Sequence, residues 1–449
     1  MTSAPTSSRG SGRADRAPDA ALEPALPPRV AHLLVRTTEL ADPGALVDLL
    51  PAGAVSAWLR RGEGLVGFGE CLRIRVDGPD RFARVGAAWS ALARRATVRD
   101  DVRLPGTGPV AFVSFSFAPD SPAGSVLVVP STVVGHRDGR WWVTTVDAET
   151  APAGVTSLPH PARLPDPGQV PGPGAVSYAD GALSGPAWQA QVAAAVVRIA
   201  AGGLDKVVLA RDLEARSDHP VDPRWVLRRL TSGYPTCWTF AVDGLLGATP
   251  EMLVRCERGL VTSRVLAGTI RRTGDDARDL ALAGSLARSS KDLEEHEYAV
   301  RSVAEALAPH CASTNVPESP FVLHLPNVMH LATDVTGVLP QRDGAPSVLE
   351  LAAALHPSAA VCGTPTDRAA ALIDELEGMD RDRYAGPVGW VDARGDGELG
   401  IALRTARQDP ADARRLRLFA GCGIVAGSDP EAELAEADAK LVPMRDALG

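Results

Sequence analysis

Cysteine is scarce and scattered. The six in 449 residues, Cys71, Cys237, Cys256, Cys311, Cys362 and Cys422, stand far apart. Without paired spacing they suggest neither a zinc site nor a disulfide framework, and a reducing cytoplasm is the natural compartment. No apolar run approaches the ~20 residues that span a bilayer, so no membrane anchor is expected. Positive charge shows neither excess nor clustering: 46 Lys and Arg against 55 Asp and Glu leave a net charge of -9. That balance argues against a nucleic-acid surface. The first 28 residues lack both an apolar period and the apolar stretch of a secretory signal. Being rich in Ser, Arg, Ala and Pro, they read as a disordered tail that is not an export sequence. What remains, 45% hydrophobic and 22% charged, is the composition of a globular, acidic enzyme with one large core or two smaller ones.

From Arg29 to about Ser157, short Val-rich runs alternate with turn residues, as in LVGFGECLRIRV, PVAFVSFSF, SVLVVPSTVV and RWWVTTV, and predict a strand-rich half (29–157). A Pro- and Gly-dense loop over 158–182 connects it to the remainder, 183–449. The segment after the loop places Trp188, Val192, Ala195, Val196 and Ile199 on one helical face, with Ser184 as cap and Gly202 as stop. In LDKVVLAR the period switches to two, which puts Lys206 on a strand among small apolar neighbours. Further helices are expected at 290–307, 347–355, 368–376 and 430–441. Strands are expected at 237–242, 260–266, 386–392, 399–406 and 416–421.

Several polar residues in this pattern could carry chemistry, and each has an ordinary structural explanation. Lys206 could blunt an edge strand. Glu251, after GATP, could be a first-turn carboxylate that complements a helix dipole. The acids of SSKDLEEHEYAV cluster at a helix start for the same reason. Glu433, Glu436 and Lys440 share one helical face, as a surface salt bridge would. Gly268 with Thr269, and Gly421 with Gly423, follow apolar runs where backbone amides could approach an anion, although turns explain most such glycines. Arg404, in IALRTA with apolar neighbours on both sides, is more telling, because an inward guanidinium usually holds a carboxylate.

Taken together, these segments resemble the chorismate-utilising enzymes, the family of isochorismate synthase, salicylate synthase, anthranilate synthase component I and aminodeoxychorismate synthase. The likeness is carried by LDKVVLAR (204–211), GATPE (247–251), LAGT (266–269), SSKDLEEHE (289–297), VMHLATDVTG (328–337), LHPSAAVCGTP (355–365), RYAGPVGWVDARGDGE (383–398), IALRTA (401–406) and AGCGIVAGSDPEAELAEADAKL (420–441). It is strong from about Trp188 onward and weaker over Arg29 to Val146. It implies an α/β fold, a single large unit of two antiparallel sheets packed face to face with helices outside, and a monomer.

The resemblance also implies roles. Lys206 would activate water for attack at C2 of chorismate and Glu251 would protonate the departing C4 hydroxyl. Mg²⁺ would be held by Glu295 and Glu436, with Glu433 and Asp292 in support. Arg404 and Lys440 would take carboxylates of the substrate, helped by backbone near Gly268, Thr269, Gly421 and Gly423, with His330 lining the pocket. Lysine at 206, where the amine-using branches have glutamine, favours water as nucleophile. Ala360, where salicylate synthases have threonine, favours stopping at isochorismate, whereas Tyr384 is shared with them. Isochorismate synthase, feeding menaquinone or siderophore synthesis, is therefore the expected activity. Salicylate synthase and a non-catalytic chorismate-binding protein are the alternatives.

Overall fold

The computed structural model describes residues 32–149, 158–160, 163–340 and 344–449. The tail expected over 1–28 lies outside them. Among the described residues the strands form two sheets, one of 13 strands and one of 10. Every pairing is antiparallel except that of His32–Leu40 with Thr97–Asp100. The larger sheet runs from Val176–Asp180 and Lys206–Ser217 at one side to His32–Leu40 and Thr97–Asp100 at the other. It therefore mixes strands from both sides of the Pro- and Gly-rich connection.

Alternation along the central strands explains the layering. In Val110–Ser114, Val110 and Phe112 join Trp58, Trp142 and Phe240 of the larger sheet in one buried cluster, which is the seam between the sheets. Ala111 and Val113 point the other way, into a second cluster shared with helix residues such as Val85 and Trp89. Both faces of such a strand are covered, so its residues are buried without a polar alternate. Among the described residues no helix is long and apolar enough to cross a membrane.

The helix at Gly185–Ala200 follows its predicted face and cap: Trp188, Val192, Ala195 and Ile199 are buried and the Ser184 side chain accepts from Ala187 N. Helices at Ser290–Leu307, Val348–Leu355 and Thr366–Glu377 lie where periodicity places them. The last helix continues to Leu448 through Pro443. Three helices, Arg81–Arg95, Pro223–Gly233 and Asp276–Leu286, are absent from the sequence reading. Their residues, Arg with Ala or with Pro and Gly, are also those of the loops, so composition conceals them. The supposed loop over 158–182 contains the strand Val176–Asp180.

Two expectations are corrected at corners of the fold. The predicted strand 399–406 is two strands, Gly397–Ile401 in the smaller sheet and Thr405–Gln408 in the larger. Arg404 stands between them with φ of 53°, a left-handed conformation uncommon for a residue with a side chain. Glu251 opens no helix either. It lies between Leu245–Thr249 in the larger sheet and Met252–Glu257 in the smaller.

Lys206–Ser217 presents a partly open edge, since Val176–Asp180 pairs only with 213–217 and Gly363–Thr364 only with 206–207. Side chains close the gap. Arg381 donates to Val208 O at 2.7 Å, Ala210 N donates to the Glu377 carboxylate at 2.6 Å, and the Trp188 indole donates to Ala210 O at 3.0 Å. Glu377 and Arg381 also form a forked ion pair with both side chains 2% exposed. Breaking such a pair leaves an uncompensated buried charge. Glu377→Ala is therefore expected to cost about 3–5 kcal/mol in urea unfolding followed by tryptophan fluorescence. Glu214→Ala, which removes an exposed partner of Arg415, should cost less than about 1 kcal/mol. Equal losses in the two variants would contradict a structural role for the buried pair.

Candidate active site

A cavity of about 220 Å³, sized for a small molecule, opens where the two corners meet. The corners are tied to each other and to neighbouring strands: Ile401 N donates to Glu251 O at 3.1 Å and Ala248 N to Arg404 O at 3.3 Å. Glu251 (4% exposed) and Arg404 (7%) both line the cavity, and so does Lys206 (2%). Lys206 opens the Lys206–Ser217 strand, and strands pair along both of its edges, Gly363–Thr364 on one and Arg415–Ile424 on the other. The edge-lysine explanation therefore does not hold.

Gly268 and Thr269 reach the cavity through a bulge in Leu260–Arg271, where the register against Val328–Val338 shifts between Ala267 and Thr269. Gly268 takes φ of 76° there, and a Cβ would come 3.1 Å from that of Asp292. Gly421 and Gly423 are not turn residues. They lie within the strand Arg415–Ile424, opposite Ala210 and Val208. A Cβ on Gly421 would stand 3.1 Å from the Tyr384 hydroxyl and 2.9 Å from Leu209 O. The glycine thus leaves the cavity floor clear.

His330, Ala360 and Tyr384 complete the wall, with the Tyr384 ring stacked on Phe419 at a 5.2 Å centroid separation. Glu433, Glu436 and Lys440 all open onto the same cavity, so the expected shared face of the helix is real. Lys440 bonds Glu436 at 2.6 Å and donates to Gly421 O at 2.9 Å. The backbone of Glu295 belongs to Ser290–Leu307, while its side chain lies outside the described residues. Asp292, on the same helix, reaches the cavity. Arg381 also lines it and was not singled out in the sequence. Glu377 ends the helix Thr366–Glu377 and Arg381 lies beyond it, and an acid and a base four residues apart look the same in the sequence whether exposed or buried.

The chain matches the family model described as chorismate binding enzyme over residues 56–449. It belongs to the chorismate-binding enzymes. Isochorismate synthase DhbC of Bacillus subtilis is 43% identical over 265 residues, which is 57% of this chain and 65% of that protein. Isochorismate synthase MenF of the same organism is 32% identical over 392 residues, 82% of each chain. Among solved structures, the menaquinone-specific isochorismate synthase MenF of Escherichia coli superposes with a TM-score of 0.73. At 24% identity, with 93% of this chain and 95% of that one covered, it bears on the fold.

In this chorismate-binding enzyme, burial sets the charge states around the cavity. Glu251 is pushed up to about 8 by burial, against a backbone hydrogen bond at Leu266 and the charges of Lys206, Lys440 and Arg404. Burial lifts the Tyr384 phenol to about 12. His330 is held well below its ordinary value by burial first and then by the charges of Arg404 and Lys440. Burial works against the Lys440 ammonium, yet Cys422 and Glu436 beside it raise its pKa.

The donor chemistry suits a hard cation. Carboxylate oxygens of Glu433 and Glu436 and the Cys422 sulfur lie within 4.8 Å of one another. Burial pushes the Cys422 thiol well above its ordinary range, which leaves the carboxylates as the charged donors. One or two carboxylates with water and substrate oxygens are a usual magnesium shell.

Glu251 links protonation to stability. As pH rises from its ordinary 4.5 to about 8, the unfolded chain gives up this proton while the folded chain keeps it, so stability from this residue falls through that window and levels off above it. Glu251→Gln cannot lose a proton. Its melting temperature relative to wild type should climb between pH 5 and 8 and then stay constant. A difference independent of pH would show that the carboxyl titrates normally.

Proposed function

We propose that this enzyme is an isochorismate synthase, moving the ring hydroxyl of chorismate by water attack at C2 and loss of the C4 hydroxyl. The observation that carries the reading is an amine and a carboxylic acid, Lys206 and Glu251, buried in one cavity that Arg404, Lys440 and Arg381 also line. Its 32% identity over 82% of MenF supports it. Lys206 takes a proton from the attacking water as the new C–O bond forms at C2. Glu251, still protonated at neutral pH, gives its proton to the leaving C4 hydroxyl, which departs as water. One water enters and one leaves, so the reaction needs no oxidant or reductant.

Arg404 and Lys440 are suited to hold the two substrate carboxylates, and neighbouring protein atoms keep both from swinging freely. Glu436 and Glu433, with Glu295 added by the family resemblance, would hold Mg²⁺, which when bound neutralises carboxylate charge on the substrate. Ala360 offers no hydroxyl over the ring, which favours release of isochorismate, destined for menaquinone or a siderophore, before pyruvate is expelled.

The deciding experiment is to incubate the purified chain with chorismate and Mg²⁺ and identify the product by mass and ultraviolet spectrum. Isochorismate in equilibrium with chorismate is expected, with at most a trace of salicylate and no amino product when ammonium is added. Stoichiometric salicylate and pyruvate would move the chain to the salicylate synthases, and anthranilate to the amine-using branch. Lys206→Ala and Glu251→Ala should each lower kcat by at least ~100-fold, and wild-type kcat should fall as pH rises through about 8. Glu436→Gln should lose most turnover and weaken Mg²⁺ binding measured by calorimetry. Full turnover in excess EDTA would remove the metal from the reading.

A further inference from the structure

Thr269 and His330 face each other across the ladder between Leu260–Arg271 and Val328–Val338, immediately after the bulge at Gly268. Thr269 Oγ1 lies 3.1 Å from His330 Nδ1, and a terminal guanidinium nitrogen of Arg404 lies 3.3 Å from His330 Nε2. A guanidinium has only hydrogens to offer, so Nε2 must present its lone pair. His330 is 5% exposed, and burial together with the charges of Arg404 and Lys440 disfavours a second ring proton. The single proton of the neutral ring is then on Nδ1, the nitrogen beside Thr269. A backbone hydrogen bond at Gly268 acts against the lowering of the His330 pKa without overcoming it. With Nδ1 protonated, the Thr269 hydroxyl cannot donate to the ring. It accepts from His330, and its own proton is left to point elsewhere, while the residue lines the cavity.

We infer that Arg404, His330 and Thr269 form a one-way hydrogen-bond chain that fixes the Thr269 hydroxyl as a donor to an acceptor oxygen of the substrate, a carboxylate or an ether oxygen. His330 is then a positioning residue. Its one proton is committed, and Nε2 is occupied by Arg404, so it moves no proton itself. The bulge contributes by re-aiming Thr269. That the acceptor belongs to chorismate rests on the function proposed above. The direction of the chain rests only on which groups can donate.

Two measurements test it. Nitrogen-15 NMR of the full chain with labelled histidine, the His330 signals assigned by their loss in His330→Gln, should show a protonated Nδ1 and a bare Nε2 from pH 6 to 8. A proton on Nε2, or on both nitrogens, overturns the chain. In chorismate turnover, Thr269→Val keeps the shape and removes the donor, and should lower kcat/KM about 10- to 100-fold, as for a hydrogen bond to a charged group. Thr269→Ser should stay within about threefold of wild type. A Thr269→Val enzyme with wild-type kcat/KM and an unchanged melting temperature overturns the donor role. Wild-type protein that does not convert chorismate at all removes the functional reading, and the nitrogen spectrum still decides the direction of the chain.

Discussion

Everything at the site depends on where the chain crosses from one sheet to the other. Strands packed face to face must be joined by corners, and a corner exposes backbone groups that neither ladder can satisfy. Here the corners at Glu251 and Arg404 are adjacent. Each is satisfied in part by the strands of the other, through Ile401 N to Glu251 O and Ala248 N to Arg404 O. The left-handed backbone at Arg404 is held by this mutual bonding, as strained conformations are when the surroundings over-determine them. An acid and a guanidinium are therefore set in the wall of one cavity by the same constraint that joins the layers.

Dryness is the second consequence. Helices cover the outer faces of the sheets, and Glu251, Arg404, His330 and Lys440 meet with little water to screen them. Desolvation dominates at Glu251 and His330, keeping the Glu251 carboxyl protonated to about 8 and His330 neutral, while Lys440 stays charged against its own burial, paired with Glu436 at 2.6 Å. Opposite charge states coexist within one pocket because each group has different neighbours, which is the general way a site separates acids from bases.

Support for Lys206 comes from outside the cavity. The strand that carries it would have an open stretch at Val208–Ala210, and Glu377, Arg381 and Trp188 supply the missing backbone partners. An ion pair this deep contributes little net stability when compared with apolar packing. Its value lies in holding one strand edge in one place, two residues from the amine.

The sequence by itself determined the elements whose periodicity is local: the amphipathic face at Trp188–Ile199, the strand carrying Lys206, and the shared face of Glu433, Glu436 and Lys440. Through ordered motifs it also identified which residues resemble a chorismate site. Hidden in it were the helices Arg81–Arg95, Pro223–Gly233 and Asp276–Leu286, written in residue types that the loops also use. The break at Arg404 was hidden too, because IALRTA keeps a strand-like pattern while the chain changes sheets. Only the tertiary structure decided that Lys206 is buried between paired strands, that Glu377 and Arg381 seal an edge, and that Arg404 reaches His330 across 74 residues. Burial and donor direction arise from contacts between segments far apart in the chain, and local spacing carries no record of them.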